Sequence, residues 1–403
     1  MNSRDIIALE DAHMPPFFAK IPIVIERGDG VRVWDAEGNA YLDFTAGWGV
    51  TSIGHAHPAI CAALAEQSGL IMQGPNAGLT YSPARAGLLS LLTELLPVPL
   101  TRVFFSNSGA EANDAALKLA RRVTGRLGVI ATHGSFHGRT LSTLSLTGQA
   151  AQRDRFAPLV PGCRFVPYDD LGALRESLDG DTAAVIVEPL QGEGGVRIPS
   201  AGYLEGVSEL CRANGTLLIV DEVQTGFCRT GPMFAVSATG ARPDFLTMAK
   251  GIAGGFPLGA FAVSEEVSAG LGAGDHGGTY CGNPLACAVA SAVIRVLIDE
   301  GLADHVAVLG RWALGEMASW RDAFPGVVTA VRGKGLLLLL ELRDDDAAAR
   351  VDAECLSRRL FVRRTQGNAI RVFPALTITQ AELAEGLATL RAAVAAVAPP
   401  ERA

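Results

Sequence analysis

Between about residue 55 and residue 300, short apolar segments alternate with stretches of helical periodicity, and this alternation restricts the fold more than any other feature. We predict strands at 102–106, 128–131, 183–187, 216–220, 245–249 and 259–263. Because a pair of parallel strands needs a long crossover connection, usually a helix, this pattern is typical of a mostly parallel sheet covered by helices. The sequence therefore predicts an α/β fold for this part of the chain.

The two ends of the chain are patterned differently. A short helix is predicted first, followed by a hairpin of segments 31–34 and 40–44 around a turn at 35–39. After about residue 310, long helices flank segments 335–342 and 369–373, which predicts a small α+β domain. The predicted units are an N-terminal segment at 1–50, a large domain at 51–305 and a small C-terminal domain at 306–403.

The composition excludes some classes of partner. The chain of 403 residues is 49% apolar with a mean hydropathy of +0.26, yet no apolar run approaches the roughly 18 residues that a membrane span needs. We therefore expect no membrane partner and attribute the apolar excess to a broad subunit interface. The net charge of −8 argues against a nucleic-acid partner.

The cysteines and the first residues indicate a cell compartment. Residues 1–5 lack the basic and then apolar pattern of a signal peptide, and the seven cysteines show no CxxC spacing. An odd number of scattered cysteines favours free thiols in the cytoplasm over a disulfide framework. We expect a cytoplasmic protein and assign no metal site.

One lysine, Lys250, lies between the apolar run 245–249 and a glycine-rich segment at 251–259. A strand end would hold this lysine in place, while the glycines would let other groups approach it closely. That placement suits an amine that forms a Schiff base with a carbonyl cofactor. A surface lysine after a buried strand explains the segment equally well, so the choice depends on other segments.

Asp221 follows the apolar segment 217–220 and begins the motif 221–226. The carboxyl end of such a strand is where parallel sheets bind ligands. If the cofactor is pyridoxal phosphate, an aspartate here keeps the ring nitrogen protonated, so that the ring can accept electrons. Gln224 could then reach the phenolic oxygen of the ring. The alternative is an ordinary aspartate that caps a turn.

A third segment is a candidate phosphate site. The strand at 102–106 is followed by small residues at 107–113 and by an alanine-rich helix predicted at 114–122. Free N–H groups and the positive dipole end of a helix attract a phosphate. A capping box formed by Ser108 and Glu111 would be the better interpretation of this segment alone. Together with Lys250 and Asp221, the segment favours the phosphate site.

Nine segments taken together resemble the class III, or ω-, aminotransferases, which are pyridoxal-phosphate enzymes of fold type I. They are most similar to the acetylornithine and ornithine aminotransferase branch. Each motif is weak alone, whereas their order and spacing over nearly the whole chain are specific. The segments that carry the resemblance are 33–38, 54–58, 108–113, 135–140, 188–195, 221–226, 249–251, 278–285 and 370–374.

The resemblance implies an architecture. A large domain would contain a mostly parallel seven-stranded sheet covered by helices, and a small α+β domain would pack with the N-terminal segment. The family is also expected to form a homodimer with its sites at the subunit interface. The sequence does not distinguish a dimer from a tetramer.

The resemblance further implies roles around the cofactor, pyridoxal 5′-phosphate. Lys250 would hold the cofactor and later move a proton between substrate and cofactor, while Asp221 would pair with the ring nitrogen. Phe136 would stack on the ring, with core packing as the alternative. Gly109 and Ala110 would bind the phosphate, and Thr279 would reach the phosphate in the neighbouring subunit. The other implied cofactor contacts are Ser108, His137, Glu188, Val223 and Gln224.

Four residues concern the substrates. Arg371 resembles the family arginine that binds the α-carboxylate of 2-oxoglutarate through a bidentate contact. Glu193 resembles the glutamate that covers this arginine during the other half-reaction. Arg139 matches the position that binds the distant carboxylate of an ornithine-like donor, and Trp48 matches a position that lines the substrate pocket. The alternatives are a surface ion pair for either arginine and a core position for Trp48.

Three departures from the family pattern concern the donor amine. Residues 47–50 read Gly-Trp-Gly-Val where the branch usually has Gly-Ile-Ala-Val, segment 73–81 departs from the usual His-x-Ser-Asn pattern, and Gly278 stands where a serine is common. These departures leave the reaction type unchanged. They leave the donor open among acetylornithine, ornithine, 4-aminobutyrate, a polyamine and a pathway-specific amine.

The predicted function is transfer of an ω-amino group from an ornithine-like or other amine to 2-oxoglutarate. A ping-pong mechanism would give an aldehyde or semialdehyde and then glutamate, and whether pyruvate can replace 2-oxoglutarate is left open. A pyridoxal-phosphate isomerase or decarboxylase on the same fold is the main alternative. Glu193 and Arg371 disfavour it, since both serve an oxo-acid acceptor. A non-catalytic binding module is a further alternative, which Lys250 and Asp221 together disfavour.

Overall fold

A computed structural model describes residues 1–75 and 77–398. Asn76, which belongs to the segment 73–81, and residues 399–403 of the predicted small domain lie outside the described residues. No helix in these described ranges is long and apolar enough to cross a membrane.

The strands are numbered in chain order. Their bounds are β1 (Ile25–Asp29), β2 (Arg32–Asp35), β3 (Ala40–Asp43), β4 (Leu100–Ser106), β5 (Gly128–Thr132), β6 (Cys163–Val166), β7 (Thr182–Val187), β8 (Leu217–Asp221), β9 (Phe245–Met248), β10 (Gly259–Ser264), β11 (Val328–Lys334), β12 (Leu337–Leu342), β13 (Leu360–Phe361), β14 (Arg363–Thr365) and β15 (Ala369–Val372).

The helical segments are numbered in the same way. Their bounds are α1 (Ser3–His13), α2 (Ala46–Gly49), α3 (Pro58–Leu70), α4 (Pro83–Leu95), α5 (Gly109–Thr124), α6 (Leu141–Ser145), α7 (Ala150–Arg153), α8 (Leu171–Ser177), α9 (Tyr203–Asn214), α10 (Glu265–Ala269), α11 (Pro284–Asp299), α12 (Leu302–Ala318), α13 (Trp320–Ala323), α14 (Asp345–Ser357) and α15 (Gln380–Val397).

The central sheet has seven strands in the order β4-β10-β9-β8-β7-β5-β6. Strand β10 is antiparallel to both of its neighbours, and the other pairs are parallel. The predicted α/β fold with a mostly parallel seven-stranded sheet is therefore confirmed, and each of the six predicted strands overlaps an observed one. Strand β6 was not predicted, because it is a four-residue edge strand that carries a charged residue, Arg164.

Helices bury both faces of this sheet. Along β8, Leu218 and Val220 belong to one buried apolar cluster, while Ile219 between them belongs to a second cluster with residues of α5. Successive strand residues point to opposite faces, so a strand buried on both faces must be apolar throughout. This burial explains why these strands were visible in the sequence as uninterrupted apolar runs.

Two smaller sheets complete the structure. Strands β11-β12-β15-β14 form an antiparallel sheet in which Leu339 of β12 is paired with Arg371 of β15. Strands β1-β2-β3 form an antiparallel sheet that includes the predicted hairpin, and β13 from the C-terminal region adds to it in parallel, with Leu360 paired to Leu42. The first and last parts of the chain thus share a sheet. The domain boundaries at 50/51 and 305/306 stay predictions.

Candidate active site

The carboxyl ends of six strands meet at one edge of the central sheet. Strand β4 runs in the same direction as β9, because both are antiparallel to β10, so all strands of the sheet except β10 end at this edge. In sheets of this kind ligands bind beyond the carboxyl ends of the strands. The segments that follow these ends contain most of the predicted site residues.

These segments surround a cavity of about 410 Å³, a size typical of small-molecule sites. Trp48, Thr279 and Arg371 do not line the cavity, and the other twelve predicted site residues do. Those twelve are Ser108, Gly109, Ala110, Phe136, His137, Arg139, Glu188, Glu193, Asp221, Val223, Gln224 and Lys250. The structure thus brings together residues that are spread over more than a hundred positions of the chain.

Asp221 ends β8 and is buried. Its Oδ2 accepts hydrogen bonds from Asn113 Nδ2 and His137 Nδ1, both at 2.7 Å, and its Oδ1 accepts one from Val223 N at 2.9 Å. Thr247 Oγ1 donates to Asn113 Oδ1 at 2.6 Å and so fixes the orientation of the amide. Hydrogen bonds to both oxygens fix the orientation of this carboxyl group at the border of the cavity.

Lys250 begins a short 3₁₀ turn, Lys250–Ala253, just after β9 ends at Met248. Its φ of +43° is uncommon for a residue with a side chain, and such strained backbone is often found at functional sites. Burial lowers the pKa of Lys250 from its usual 10.5, and the carboxylates of Glu193 and Asp221 oppose this effect only in part. A larger fraction of the amine is therefore neutral near pH 7, as a nucleophile or base requires.

The N-terminus of α5 lies at the cavity. The helix begins at Gly109 and not at the predicted residue 114, because Ser108 Oγ accepts a hydrogen bond from Glu111 N at 3.2 Å and caps the helix. The carboxylate of Glu111 accepts from Asn107 N at 2.7 Å, so the capping box is incomplete. Within the described residues, no acceptor is found for the N–H groups of Gly109 and Ala110. These donors and the helix dipole make an anion site.

Three further residues complete the wall of the cavity: Phe136 and Arg139 in the loop after β5, and Glu188 directly after β7. Phe136 N donates to Glu188 Oε2 at 3.2 Å. Burial and then the charge of Asp221 raise the pKa of Glu188 well above its usual value, which favours the neutral acid. Arg139 is exposed, and its Cζ lies 5.6 Å from the centroid of the Phe136 ring. A guanidinium therefore lies at the rim of the cavity, next to an aromatic face.

Glu193 and Arg371 form an ion pair although they are 178 positions apart in the chain. Gln224 Nε2 donates to Glu193 Oε1 at 3.0 Å, and Gln366 Nε2 donates to the main-chain carbonyl of Glu193. Burial raises the pKa of Glu193, but the charges of Arg371 and Lys250 outweigh it and hold the pKa at about 2. Glu193 lines the cavity and its buried partner Arg371 does not.

Trp48 lies beside Arg371 and not in the cavity wall. It belongs to the left-handed turn α2, with a φ of +69°, between two glycines that also have positive φ, Gly47 and Gly49. Its ring centroid is 4.5 Å from Arg363 Cζ and 5.9 Å from Arg371 Cζ, within the range of cation–π contacts. A contact between Trp48 and the substrate stays a prediction.

Thr279 is exposed, and its carbonyl accepts a hydrogen bond from Gln73 Nε2 at 2.7 Å. The contact links the segment 73–81, which departs from the family pattern, to the residue that follows Gly278. A separate cavity of about 240 Å³ is lined there by residues of 71–85 and 281–284. The implied role of Thr279 in a neighbouring subunit stays a prediction.

Three residues with hydrogen bonds at the site were not predicted from the sequence. Asn113 and Thr247 orient Asp221, and Gln366 contacts Glu193. A polar residue on the alanine-rich face of a helix is a signal that could have identified Asn113, because buried polar groups are usually hydrogen-bonded. Gln366 gave no such signal, since it lies in the turn between β14 and β15.

Comparisons with known proteins give a consistent result. The family model described as aminotransferase class III matches residues 15–394. The acetylornithine aminotransferase of Methanothermobacter thermautotrophicus is 45% identical over 385 residues, which cover 95% of this chain and 96% of that protein. The succinylornithine transaminase of Citrobacter koseri is 41% identical over 386 residues, covering 94% of each chain.

Solved structures agree with the sequence comparisons. An ornithine aminotransferase from Toxoplasma gondii, whose active site holds PLP at partial occupancy, has a TM-score of 0.92 and 36% identity to this chain. The match covers 98% of this chain and 95% of that one. The similarity therefore extends over the large sheet, both small sheets and the cavity.

Proposed function

The chain belongs to the class III aminotransferases, and on that premise we propose that it transfers the terminal amino group of an N-acylated ornithine to 2-oxoglutarate. The relatives named for acetylornithine and succinylornithine act on donors that differ in the acyl group and share the same terminal amine. Their similarity to this chain supports this donor class. The products are the corresponding semialdehyde and glutamate.

The enzyme depends on pyridoxal phosphate, and the residues around the cavity fit that cofactor. The free N–H groups at the start of α5 suit its phosphate, the Asp221 carboxylate suits its ring nitrogen, and the Lys250 amine suits its aldehyde. When bound, the cofactor withdraws electrons from the carbon that carries the substrate amine, so that this carbon can lose a proton.

In the proposed mechanism, Asp221 holds the proton on the ring nitrogen. Asn113 and His137 donate to its carboxylate and so keep it oriented. Lys250 would hold the aldehyde end of the cofactor and, once released, would accept and give back the proton of the amine-bearing carbon of the substrate, while the cofactor would supply the electron sink. Its lowered pKa brings the amine nearer to the operating pH, where a group that both accepts and donates a proton works best.

The two substrates are proposed to use the cavity in turn. While the amine donor is bound, Glu193 neutralises Arg371, and Arg139 binds the carboxylate at the far end of the donor. When 2-oxoglutarate enters, Glu193 leaves Arg371, and the arginine binds the α-carboxylate of the oxo acid. One arginine that is alternately covered and free lets one cavity accept two different molecules, as a ping-pong reaction requires.

The observation that carries this proposal is the ion pair between Glu193 and Arg371 at the cavity that holds Lys250. An isomerase or a decarboxylase needs no second oxo-acid substrate and therefore no covered arginine, and family membership also disfavours both. The test is a panel of amines, from acetylornithine and succinylornithine to ornithine, 4-aminobutyrate and polyamines, each with 2-oxoglutarate or pyruvate. The N-acylated ornithines with 2-oxoglutarate should give the highest kcat/KM. Racemised or decarboxylated products without glutamate would overturn the proposal.

We further propose a homodimer in the cytoplasm. Large apolar side chains are exposed around the 73–81 segment and Thr279, which is typical of an uncovered protein interface; they are Leu70, Ile71, Met72, Leu79, Tyr81 and Tyr280. The cysteines of the described residues are free thiols, as in a reducing compartment. Sedimentation equilibrium of the purified enzyme should give the mass of two chains, and a stable monomer would overturn the dimer.

A further inference from the structure

Arg229 is a buried arginine to which the proposed mechanism gives no role. It lies in the loop that follows Asp221 and is only 2% exposed. Its Nη1 donates to the main-chain carbonyls of Leu336 at 3.0 Å and Pro374 at 2.6 Å. No carboxylate of the described residues pairs with it, and its Nη2 has no hydrogen-bond partner there. Burying a guanidinium without a counter-ion is costly, so a functional reason for its presence is expected.

The contacts of Arg229 converge on the residues that follow Arg371. Phe373 and Pro374 come directly after β15, the strand that carries Arg371. The centroid of the Phe373 ring is 4.2 Å from Arg229 Cζ and 5.1 Å from Arg371 Cζ, so both guanidiniums contact the same buried ring. The carbonyl of Pro374 and the ring of Phe373 thus fix the end of β15 to Arg229.

The backbone of Arg229 fixes the neighbouring strand as well. Leu336 N donates to Arg229 O at 3.1 Å, just before β12 begins. Gly335 has a φ of +58°, and a Cβ at this position would lie 2.5 Å from Arg229 O, so only glycine permits the approach. Since β12 is paired with β15 at Arg371, Arg229 holds both strands that determine where the Arg371 guanidinium lies.

We propose that Arg229 is a positioning residue that fixes Arg371 for the carboxylate of the oxo-acid acceptor. The inference rests on the proposed function, because it presupposes that Arg371 binds an acceptor carboxylate. Burial, followed by the charge of Arg371, lowers the pKa of Arg229 to about 9, so the guanidinium stays protonated at neutral pH. The amine donor does not depend on Arg371 while Glu193 covers it, so only the acceptor half of the reaction should depend on Arg229.

The test compares two substitutions of Arg229 in the cofactor-loaded enzyme. Arg229→Met removes the hydrogen bonds and the charge. Arg229→Lys keeps the charge but lacks the planar guanidinium, whose N–H donors point in fixed directions. The measurements are the binding of glutarate, an unreactive dicarboxylate, by calorimetry and the rates of the two half-reactions. Arg229→Met should weaken glutarate binding and acceptor kcat/KM about 10-fold to 100-fold, as a misplaced binding group does. Arg229→Lys should weaken glutarate binding and acceptor kcat/KM about threefold. In both variants the rate of the donor half-reaction should change by less than about threefold.

The matched control is Arg126→Met. Arg126 likewise donates to main-chain carbonyls, those of Thr182 and Gly215 at 3.1 and 3.0 Å. It lies at the amino end of β7, whereas the cavity lies at the carboxyl ends of the strands. This variant should bind glutarate like the wild type. If Arg229→Met does not fold, Arg229→Lys decides alone, and unchanged glutarate binding in it would overturn the inference.

The remaining outcomes separate this inference from the proposed function. Wild-type enzyme that binds glutarate, together with an Arg229→Met variant that binds it equally well, would refute the role of Arg229 and leave the proposed function intact. An equal loss in both half-reactions would mean that Arg229 serves general stability, and would also refute it. Wild-type enzyme that neither binds glutarate nor uses 2-oxoglutarate would refute the proposed acceptor and the inference together.

Discussion

Glu193 lies at the cavity with its carboxylate paired to the guanidinium of Arg371, which is 1% exposed and does not line the cavity itself. An incoming carboxylate therefore reaches Arg371 only by displacing Glu193. The pKa of Glu193 at about 2 keeps the pair charged at neutral pH, so a competing anion must replace it. The described structure thus corresponds to the state that we propose for the amine donor.

Replacing Glu193 by Gln should shift the balance between the two substrates. The variant keeps the size of the side chain and removes the competing charge, so Arg371 becomes available to oxo acids and α-amino acids. We expect the KM for 2-oxoglutarate to fall about tenfold, which corresponds to roughly 1.4 kcal/mol, and glutamate to compete better with the ω-amine. Steady-state kinetics with varied 2-oxoglutarate measure this effect.

The control for this variant is Glu341→Gln. Glu341 is also paired with an arginine, Arg332, at 2.6 Å, but it does not line the cavity. Its replacement should leave both KM values unchanged. An unaltered KM in Glu193→Gln as well would show that the pair does not compete with the acceptor.

Arg371→Met and Arg139→Met should have opposite effects on the two half-reactions. Loss of a bidentate, charge-assisted contact costs about 2–3 kcal/mol, or roughly 30-fold to 150-fold. We expect Arg371→Met to lower kcat/KM for 2-oxoglutarate by this factor and to change donor kcat/KM little. Arg139→Met should show the reverse, with a smaller loss because Arg139 is exposed. Single-turnover rates of each half-reaction measure both, and equal losses in the two halves would remove the assigned roles.

Lys250→Ala should abolish the visible absorbance of the lysine-bound cofactor. Turnover should also fall by about 10²–10⁴ or more, because a positioned general base contributes this much and the cofactor attachment is lost as well. Lys334→Ala is the matched control, since Lys334 lies at the end of β11 and not at the cavity. Absorbance that survives in Lys250→Ala would exclude this lysine as the attachment point.

Glu193 should also make stability depend on pH. Its folded-state pKa of about 2 is below the usual 4.5, so the stabilisation is fully present above pH 4.5 and is lost as the pH falls towards 2. The shift of this pKa corresponds to a contribution on the order of 3 kcal/mol to the free energy of unfolding. In chemical unfolding of the cofactor-free protein, the advantage of the wild type over Glu193→Gln should shrink by this amount across that window. A difference that does not change with pH would contradict it.

Much of the fold was predictable because local patterns encode it. Strands buried on both faces, such as β7 and β8, must be apolar throughout, and glycines and turns separate them from the helices. Strand β6 escaped prediction because an edge strand with Arg164 has no such constraint. The start of α5 was predicted at residue 114, whereas the helix begins at Gly109, directly after its cap Ser108.

The sequence by itself determined the family and the reaction type and predicts the attachment lysine, since these depend on motifs whose residues are close together in the chain. The tertiary structure decided which residues act on one another. The support of Asp221 by Asn113 and Thr247 and the contact of Arg229 with Pro374 each join residues more than a hundred positions apart. Such contacts depend on how strands and loops pack at one sheet edge, and no local pattern of residues specifies them.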